Sequence, residues 1–178
     1  MRIKKNKKQY IAGFCARLGT FLLVLTIAVC IPLSLPRLLG YQVYAVISGS
    51  MEPAVSIGSL VYVRQIPPET VQKDAIIAFY GTVDSSAVIL HRVVENRTVD
   101  GSLITKGDAN AQPDLSPVRY DRVLGKAEGI IPCLGGLALM LSGTWGKLSS
   151  LGLVLAAVLL HAVGAALGAK EERFQNKG

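Results

Sequence analysis

Histidine and cysteine are scarce in this sequence, and neither is arranged as a set of metal ligands. The chain of 178 residues contains two histidines, His91 and His161, and three cysteines. Cys15, Cys30 and Cys133 lie in or beside apolar stretches, and no CxxC or Cys/His pair with metal-ligand spacing occurs. We therefore expect no metal site and no cofactor, and we interpret the cysteines as small apolar residues in a membrane environment.

Acidic residues are also few, and the excess of basic residues is concentrated at one end. Lys and Arg number 19 against 12 Asp and Glu, which gives a formal net charge of +7. Much of this excess lies in the N-terminal segment MRIKKNKK (1–8), with Arg17 following. Basic residues beside an apolar run are typical of the cytoplasmic flank of a membrane span. No basic face interleaved with aromatic residues occurs elsewhere, so nucleic acid is not an expected partner.

Charge is absent from long stretches near both ends of the chain. Hydrophobic residues make up 51% of the sequence, and the mean hydropathy is +0.43. Residues 18–36 carry no charge, and at about 1.5 Å per residue they nearly span a hydrocarbon core of about 30 Å. This predicts a transmembrane helix over 18–37, which Pro32 and Pro36 kink or end near its far side. A second apolar run, rich in small residues that suit close helix packing, predicts a transmembrane helix over 148–169.

The first apolar run has an alternative interpretation. A basic segment, an apolar run and VYA at 43–45 also fit a secretory signal with a cleavage site. The run is long for such a signal, and cleavage after Ala45 would leave Ser50 almost at a new N-terminus. We therefore expect the segment to be a retained anchor.

Between the two apolar runs the pattern is that of β-strands. Val, Ile and Tyr are concentrated in five stretches that Gly, Pro, Asp and Ser separate, namely 41–48, 59–66, 74–81, 87–99 and 122–130. The segment 66–70 fits a turn, and 99–102 fits a hairpin connection. No sustained amphipathic helical pattern interrupts the region. The sequence therefore predicts a mainly β fold, a small all-β ectodomain flanked by N- and C-terminal transmembrane helices.

The expected organisation follows from these segments. A basic cytoplasmic N-terminus (1–17) precedes the first helix, the extracytoplasmic β domain covers 38–129, an apolar interfacial segment covers 130–147, and a charged tail (170–178) follows the second helix. This order predicts an inside–outside–inside topology. Residues 130–142 could instead form a short extra span, which would place the tail outside.

One serine and one histidine of the β region are candidates for chemistry. Ser50, in SGSMEP (48–53), lies in a turn between two apolar runs and is either a turn residue or a nucleophile. A serine nucleophile needs a base, and His91 is the histidine that the β region offers. A lone histidine in a strand is often structural. His161 lies in the second apolar run, where we expect a packing or polar-contact role.

Two aspartates in the loop TKGDANAQPD (105–114) are candidates for orienting His91. Asp108 and Asp114 both suit turn chemistry, which Asp and Asn favour in such loops. Either carboxylate would also serve to fix the tautomer of a histidine base and to stabilise its protonated form. Spacing along the sequence does not choose between the two, since catalytic triads occur in several chain orders.

SGSMEP (48–53), HRV (91–93) and TKGDANAQPD (105–114) occur in this order on a β domain behind a basic anchor. In this combination the chain resembles signal peptidase I, in the branch found in the endoplasmic reticulum, in archaea and in spore-forming Gram-positive bacteria. The resemblance covers roughly residues 15–170. The usual bacterial branch has a lysine at the position of His91, so the resemblance implies a Ser–His pair. Lys106 matches a position that is not catalytic in this branch.

The resemblance implies a role for each motif residue. Ser50 matches the nucleophile, His91 the general base, Asp114 the orienting acid and Asp108 a second important acid. Ser48 matches a serine whose hydroxyl helps to bind the oxyanion, with the backbone N–H of Ser50 as a second donor. Gly49 lets the chain approach a substrate strand. Apolar residues beside the nucleophile are expected to line shallow substrate pockets or to dip into lipid, namely Tyr44, Val46, Met51 and Val55.

The implied function is that of a membrane-bound serine endopeptidase that cleaves N-terminal signal peptides from exported proteins. Its expected partners are preproteins that carry signal peptides, the lipid bilayer, and translocation machinery or accessory subunits. The expected location is the cell membrane, with several spans and the catalytic domain outside the cytoplasm.

Two alternatives remain. One is a dedicated or self-processing membrane peptidase, like the self-cleaving repressors of similar β fold, although their Ser–Lys chemistry disagrees with His91. The other is a non-catalytic membrane module that binds signal segments. The tripeptide NRT (96–98) formally fits an N-glycosylation acceptor, which we do not expect to be used.

Overall fold

A computed structural model describes residues 7–81 and 87–175, and the side chains within 10–81 and 87–167. The chain divides into two compact units: a terminal unit formed by residues 1–32 and 141–178, and a central unit formed by residues 33–140. Most of the basic N-terminal segment and the last residues of the expected tail lie outside the described residues.

The central unit is built around one antiparallel sheet, which confirms the predicted mainly β fold. The spatial order of its strands is β1-β2-β7-β3-β4-β5-β6. The strands are β1 (Tyr41–Ala45), β2 (Leu60–Arg64), β3 (Ile76–Tyr80), β4 (Val88–Arg97), β5 (Ser102–Lys106), β6 (Val118–Arg119) and β7 (Val123–Ile131). Each of the five stretches rich in Val, Ile and Tyr overlaps one of these strands. The segment predicted as a hairpin connection joins β4 to β5, and a short 3₁₀ helix at Pro68–Thr70 forms the predicted turn.

The sheet has a hydrophobic core on each of its two faces. Consecutive side chains of a strand point to opposite faces, so Ile77 and Ala78 of β3 belong to different core clusters. The first cluster consists of Val71, Ile77, Phe79, Val93, Leu103 and Val118. The second consists of Met51, Val55, Val61, Val63 and Ala78. Because both faces are covered, the strands are mostly apolar rather than strictly alternating.

A short helix, α2 (Leu134–Ser142), follows β7 and packs on the loop before β2. Gly135 N donates to Gly58 O at 2.8 Å, and a Cβ atom on Gly135 would lie 2.3 Å from Ser59 O. The helix has 9 residues and therefore rises about 14 Å, less than half of a hydrocarbon core of about 30 Å. The helix is therefore shorter than the extra membrane span considered for 130–142, and an interfacial segment over 130–147 stays the prediction.

Two long helices include the predicted transmembrane segments. α1 (Lys7–Leu38) continues through Pro32 and ends two residues after Pro36, and α3 is Thr144–Gln175. Both are long and apolar enough to cross a membrane, with mean hydropathies of 2.4 over Tyr10–Leu38 and 2.2 over Thr144–Leu167. Residues 43–45, the alternative cleavage site, lie within β1 and pair with β2.

In the terminal unit, α1 and α3 pack closely through glycines. A Cβ atom on Gly19 would lie 2.8 Å from both Ala157 O and His161 N. The Thr20 hydroxyl lies 3.3 Å from His161 Nδ1, so His161 makes a polar contact between the two helices. Close backbone approach at small residues is the usual means by which helices associate in lipid.

Candidate active site

Ser50 lies on the loop between β1 and β2, which the sheet holds at both ends. The ladder continues past β1, because Val46 N donates to Ser59 O at 2.9 Å and Gly58 N donates to Val46 O at 2.8 Å. Within the loop, Glu52 N donates to Gly49 O at 3.1 Å. Ser50 is half-buried, while Ser48 is exposed. The loop is therefore a folded turn that keeps both hydroxyl groups at or near the surface.

Met51 and Val55 anchor this loop in the core. Each side chain is 1% exposed and belongs to the second core cluster, and Val55 N donates to Met51 O at 2.8 Å. We expected both at the surface, as linings of substrate pockets or as lipid contacts, and this is incorrect. The buried side chain of Met51 anchors the turn to the core, which explains why an apolar residue follows Ser50. Tyr44 and Val46 are half-buried against the same cluster.

His91 lies in the middle of β4 and faces the protein interior. The residue is 8% exposed, it pairs in register with Ile77 of β3, and its ring meets the Phe79 ring edge to face at 6.1 Å between centroids. Because the two neighbouring strands and the Phe79 ring confine the imidazole, its two nitrogen atoms have fixed directions.

One imidazole nitrogen faces Asp114. His91 Nδ1 and Asp114 Oδ2 lie 2.6 Å apart, and the side chains are 10% and 22% exposed. The same oxygen accepts a hydrogen bond from the Thr105 hydroxyl at 2.6 Å. Asp114 N also donates to Thr105 O at 2.8 Å. A carboxylate in this place keeps the Nδ1 proton on the ring and leaves Nε2 free to accept a proton.

The other nitrogen faces the loop that carries Ser50. A Cβ atom on Gly107 would lie 3.0 Å from His91 Nε2 and 2.6 Å from Ser50 O, so both atoms border the space that this glycine leaves empty. Ala109 N donates to Ser50 O at 3.0 Å and fastens the two loops together. The structure thus brings Ser50, His91 and Asp114 to one place.

Asp108 faces a different partner. Arg92 Nε and Nη2 donate to its two oxygens at 2.8 and 2.6 Å, and Arg92 Nη1 donates to Asp74 O at 2.8 Å. The hydrogen bond to Asp108 raises the pKa of Arg92 above its ordinary value. Arg92 follows His91 directly in β4, so their side chains point to opposite faces of the sheet. Asp108 therefore ties its loop to β4, and Asp114 is the acid in contact with His91.

A cavity of about 190 Å³ borders the His91–Asp114 pair. Its walls include Phe79 and Ile89, and Arg122, whose guanidinium also donates to Gly81 O at 3.1 Å. Ligand pockets of proteins measure about 300–1,000 Å³. This cavity is too small to hold a peptide substrate.

Thr105 and Gly107 lie in the motif TKGDANAQPD, but the sequence alone assigns them no role; in the structure they complete the surroundings of His91. Both contact atoms of the site, whereas Lys106 between them is on the opposite face of β5. The alternation of side chains along β5 is the signal that would have indicated them, given the position of His91 on the neighbouring strand.

The NRT tripeptide is a structural feature of the sheet. Asn96 Nδ2 donates to Val71 O at 2.9 Å and to Pro68 O at 3.1 Å, and its Oδ1 accepts a hydrogen bond from the Tyr120 hydroxyl. Modification of Nδ2 would break these bonds, so the folded structure uses the asparagine as a structural residue.

Comparison with known proteins identifies relatives by sequence, although no protein-family model matches the chain. Signal peptidase I W of Bacillus subtilis is 35% identical over 116 residues, covering 62% of this chain and 60% of the relative. Signal peptidase complex catalytic subunit SEC11 of Eremothecium gossypii is 32% identical over 130 residues, covering 66% of this chain and 77% of the relative. The corresponding subunit of Pyricularia oryzae is 31% identical over 131 residues, with coverage of 67% and 75%.

Proposed function

Since this chain belongs to the signal peptidase I family, in the branch that includes the SEC11 catalytic subunits, we propose that it is a membrane-bound serine endopeptidase that removes N-terminal signal peptides from exported proteins. The observation that carries the proposal is the 2.6 Å contact of His91 Nδ1 with Asp114, together with the position of His91 Nε2 beside the Ser50 loop. This arrangement suits acyl transfer to a serine.

In the proposed reaction, Ser50 Oγ attacks the carbonyl carbon of the scissile peptide bond. His91 Nε2 accepts the hydroxyl proton and later transfers it to the leaving amine. Asp114 holds the imidazole in the tautomer with a proton on Nδ1 and stabilises the imidazolium that forms. A water molecule, activated by the same nitrogen, then hydrolyses the acyl-enzyme and releases the signal peptide.

Two groups are proposed to bind the oxyanion of the tetrahedral intermediate. The hydroxyl of Ser48 is exposed two residues before the nucleophile. The main-chain N–H of Ser50 donates to no acceptor among the described residues. Donors aimed at the developing negative charge stabilise the transition state more than the substrate.

The substrate is proposed to add as a strand to the open edge of the sheet. Among the described strands, β1 pairs with β2 alone, and it leads directly into the loop of Ser50. Val46 N faces β2, so the main-chain groups of Val43, Ala45 and Ile47 face away from β2 by the alternation of an antiparallel ladder. A signal peptide paired there would bring its cleavage site to Ser50.

The proposed topology places the catalytic domain outside the cytoplasm between two membrane spans, with the N-terminus and the tail inside. It rests on the two apolar helices and on the basic residues before the first. The proposed domain limits are those predicted from the sequence, with residues 130–147 as an interfacial segment. Accessory subunits or translocation machinery are proposed partners, in keeping with relatives that are named as subunits of a complex.

Processing of a reporter preprotein tests the proposal. Membranes carrying wild type, Ser50→Ala, His91→Ala or Asp114→Ala at matched expression are compared in a host that lacks other signal peptidases. We expect wild type to process the reporter and all three variants to lose processing. Processing by Ser50→Ala would overturn the proposal in favour of a module that binds signal segments. Cleavage restricted to the chain itself, near Ala45, would favour a self-processing peptidase.

A further inference from the structure

We propose that Thr105 is a positioning residue for the reaction, with a hydroxyl group that holds the Asp114 carboxylate against His91. This inference rests on the proposed serine peptidase function and extends it to a motif residue to which the sequence alone assigns no role. Among the described residues no hydrogen bond joins Thr105 to Ser50, and Thr105 is 0% exposed, so its effect on the reaction is proposed to pass through Asp114.

The geometry links Thr105 to the oxygen that faces the base. Its hydroxyl donates to Asp114 Oδ2 at 2.6 Å, and this oxygen is the one that lies 2.6 Å from His91 Nδ1. A second hydrogen bond, from Asp114 N to Thr105 O at 2.8 Å, fixes the main chain of the aspartate. Thr105 thus holds Asp114 by its backbone and by the functional oxygen at once.

Asp114 needs this support because its own segment has no regular secondary structure. It lies in the loop between β5 and β6, and its side chain is 22% exposed. A carboxylate in such a loop is free to turn toward water unless the protein holds it. Thr105, by contrast, belongs to β5, pairs in register with Val93 of β4 and is 0% exposed. The position of the acid is therefore set by the same pair of strands that sets the position of His91.

Threonine suits this task better than other residues with a hydroxyl group. A β-branched side chain in a strand has restricted rotation about χ1, so its hydroxyl keeps one direction. Leaving a buried hydroxyl without a hydrogen-bond partner costs free energy. This cost favours the state in which the Thr105 hydroxyl stays bonded to the Asp114 carboxylate. In the reaction, the hydroxyl fixes the Asp114 oxygen where it accepts the hydrogen bond from Nδ1–H of the imidazolium, and the proton stays on the ring.

Thr105→Val tests the proposal because it keeps the shape of the side chain and removes the hydroxyl. With purified full-length protein in detergent micelles and a preprotein substrate, we expect kcat to fall about 10-fold or more. KM should stay within about 2-fold of wild type, because Thr105 is away from the substrate strand. Thr105→Ser restores the hydroxyl and should recover most of the lost kcat. Thr70→Val is the matched control, since it removes a hydroxyl that donates to Pro67 O at 2.7 Å, in the 3₁₀ helix Pro68–Thr70.

A double-variant comparison separates positioning from simple loss of folding. If Thr105 acts through Asp114, adding Thr105→Val to Asp114→Ala should lower kcat no further, since interacting residues are not additive. A merely structural threonine would lower the melting temperature in both backgrounds and leave kcat per folded molecule unchanged. Thr105→Ala provides the same test if the valine variant does not fold.

Failure of this inference is distinguishable from failure of the proposed function. Wild-type kcat in folded Thr105→Val or Thr105→Ala, with Ser50→Ala inactive in the same assay, would overturn the positioning role alone. Cleavage by Ser50→Ala would overturn the peptidase proposal itself. An increase in KM with unchanged kcat would also contradict the inference, because it would indicate a role in substrate binding.

Discussion

His91 Nδ1 and Asp114 Oδ2 are 2.6 Å apart although the two residues are 23 positions apart in the sequence. The contact joins the middle of β4 to the loop after β5. It exists because β4 and β5 are neighbours, and because Thr105 of β5 holds the loop at Asp114 by accepting a hydrogen bond from Asp114 N. The pairing of two strands thus creates the acid–base pair, and sequence proximity has no part in it.

The two loop aspartates should respond differently to substitution. Asp114→Ala removes the partner of His91, so we expect processing of a preprotein to fall at least about 10²-fold with little change in folding. Asp108→Asn leaves Arg92 with a weakened partner, so we expect a loss of about 1–3 kcal/mol in the free energy of unfolding. Thermal unfolding and single-turnover cleavage, measured on both variants, check the difference. An Asp108→Asn protein that is folded yet as inactive as Asp114→Ala would contradict it.

Gly107 should not tolerate a side chain. An alanine Cβ would lie 2.6 Å from Ser50 O and 3.0 Å from His91 Nε2, so either the Ser50 loop or the imidazole must move. We expect Gly107→Ala to lower kcat strongly, because displacements of about 1 Å in reacting groups cost about 10²-fold in rate. Gly136→Ala is the control, since its Cβ meets nothing within 4 Å. Equal activity of the two variants would show that the space beside Gly107 is not needed.

Much of this site could be predicted from the sequence because its motifs carry specific residue types. The stretch around Ser50, His91 and the two aspartates was found by motif, and the strands by their Val, Ile and Tyr content. The choice between Asp108 and Asp114 required the path of the loop, which spacing does not give. In the structure, His91 and Arg92 lie on opposite faces of β4. Asp114 therefore pairs with His91, and Asp108 pairs with Arg92.

The surroundings of the motif residues were harder to predict. Met51 was expected to contact substrate or lipid, because an apolar residue next to a nucleophile fits a binding pocket as well as a core. Which face of a turn points inward depends on tertiary packing, and here Met51 points into the core. Thr105 lies in the motif TKGDANAQPD, but the motif alone did not indicate its role, because that role depends on the contact with Asp114 in the folded chain.

Asn96 should matter for stability and not for glycosylation. Its side chain joins β4 to the 3₁₀ turn through Pro68 O and Val71 O, and to the Tyr120 hydroxyl. We expect Asn96→Ala to lower the free energy of unfolding by about 2–3 kcal/mol, because it removes several partly buried hydrogen bonds. Thr98→Ala also destroys the NRT tripeptide but leaves these bonds, so its unfolding temperature should match that of wild type. An equal loss in both variants would argue for modification of Asn96.

The rate of cleavage should rise with pH across the range in which histidine loses its proton. A protonated imidazole has no lone pair on Nε2, so it does not accept the proton of Ser50, and the rate falls as the pH is lowered and the base becomes protonated. Arg92 does not contribute to this profile: its hydrogen bond to Asp108 raises the pKa of a group that is already charged throughout the window.

Single-turnover cleavage of a preprotein between about pH 5 and 10 measures this dependence under conditions in which chemistry limits the rate. Parallel measurements of thermal unfolding show whether the protein stays folded at each pH. A folded enzyme with a flat profile would exclude His91 as the base. A profile that rises only above about pH 9 would instead indicate a lysine, as in the Ser–Lys enzymes, because an ammonium group must lose its proton before it accepts another.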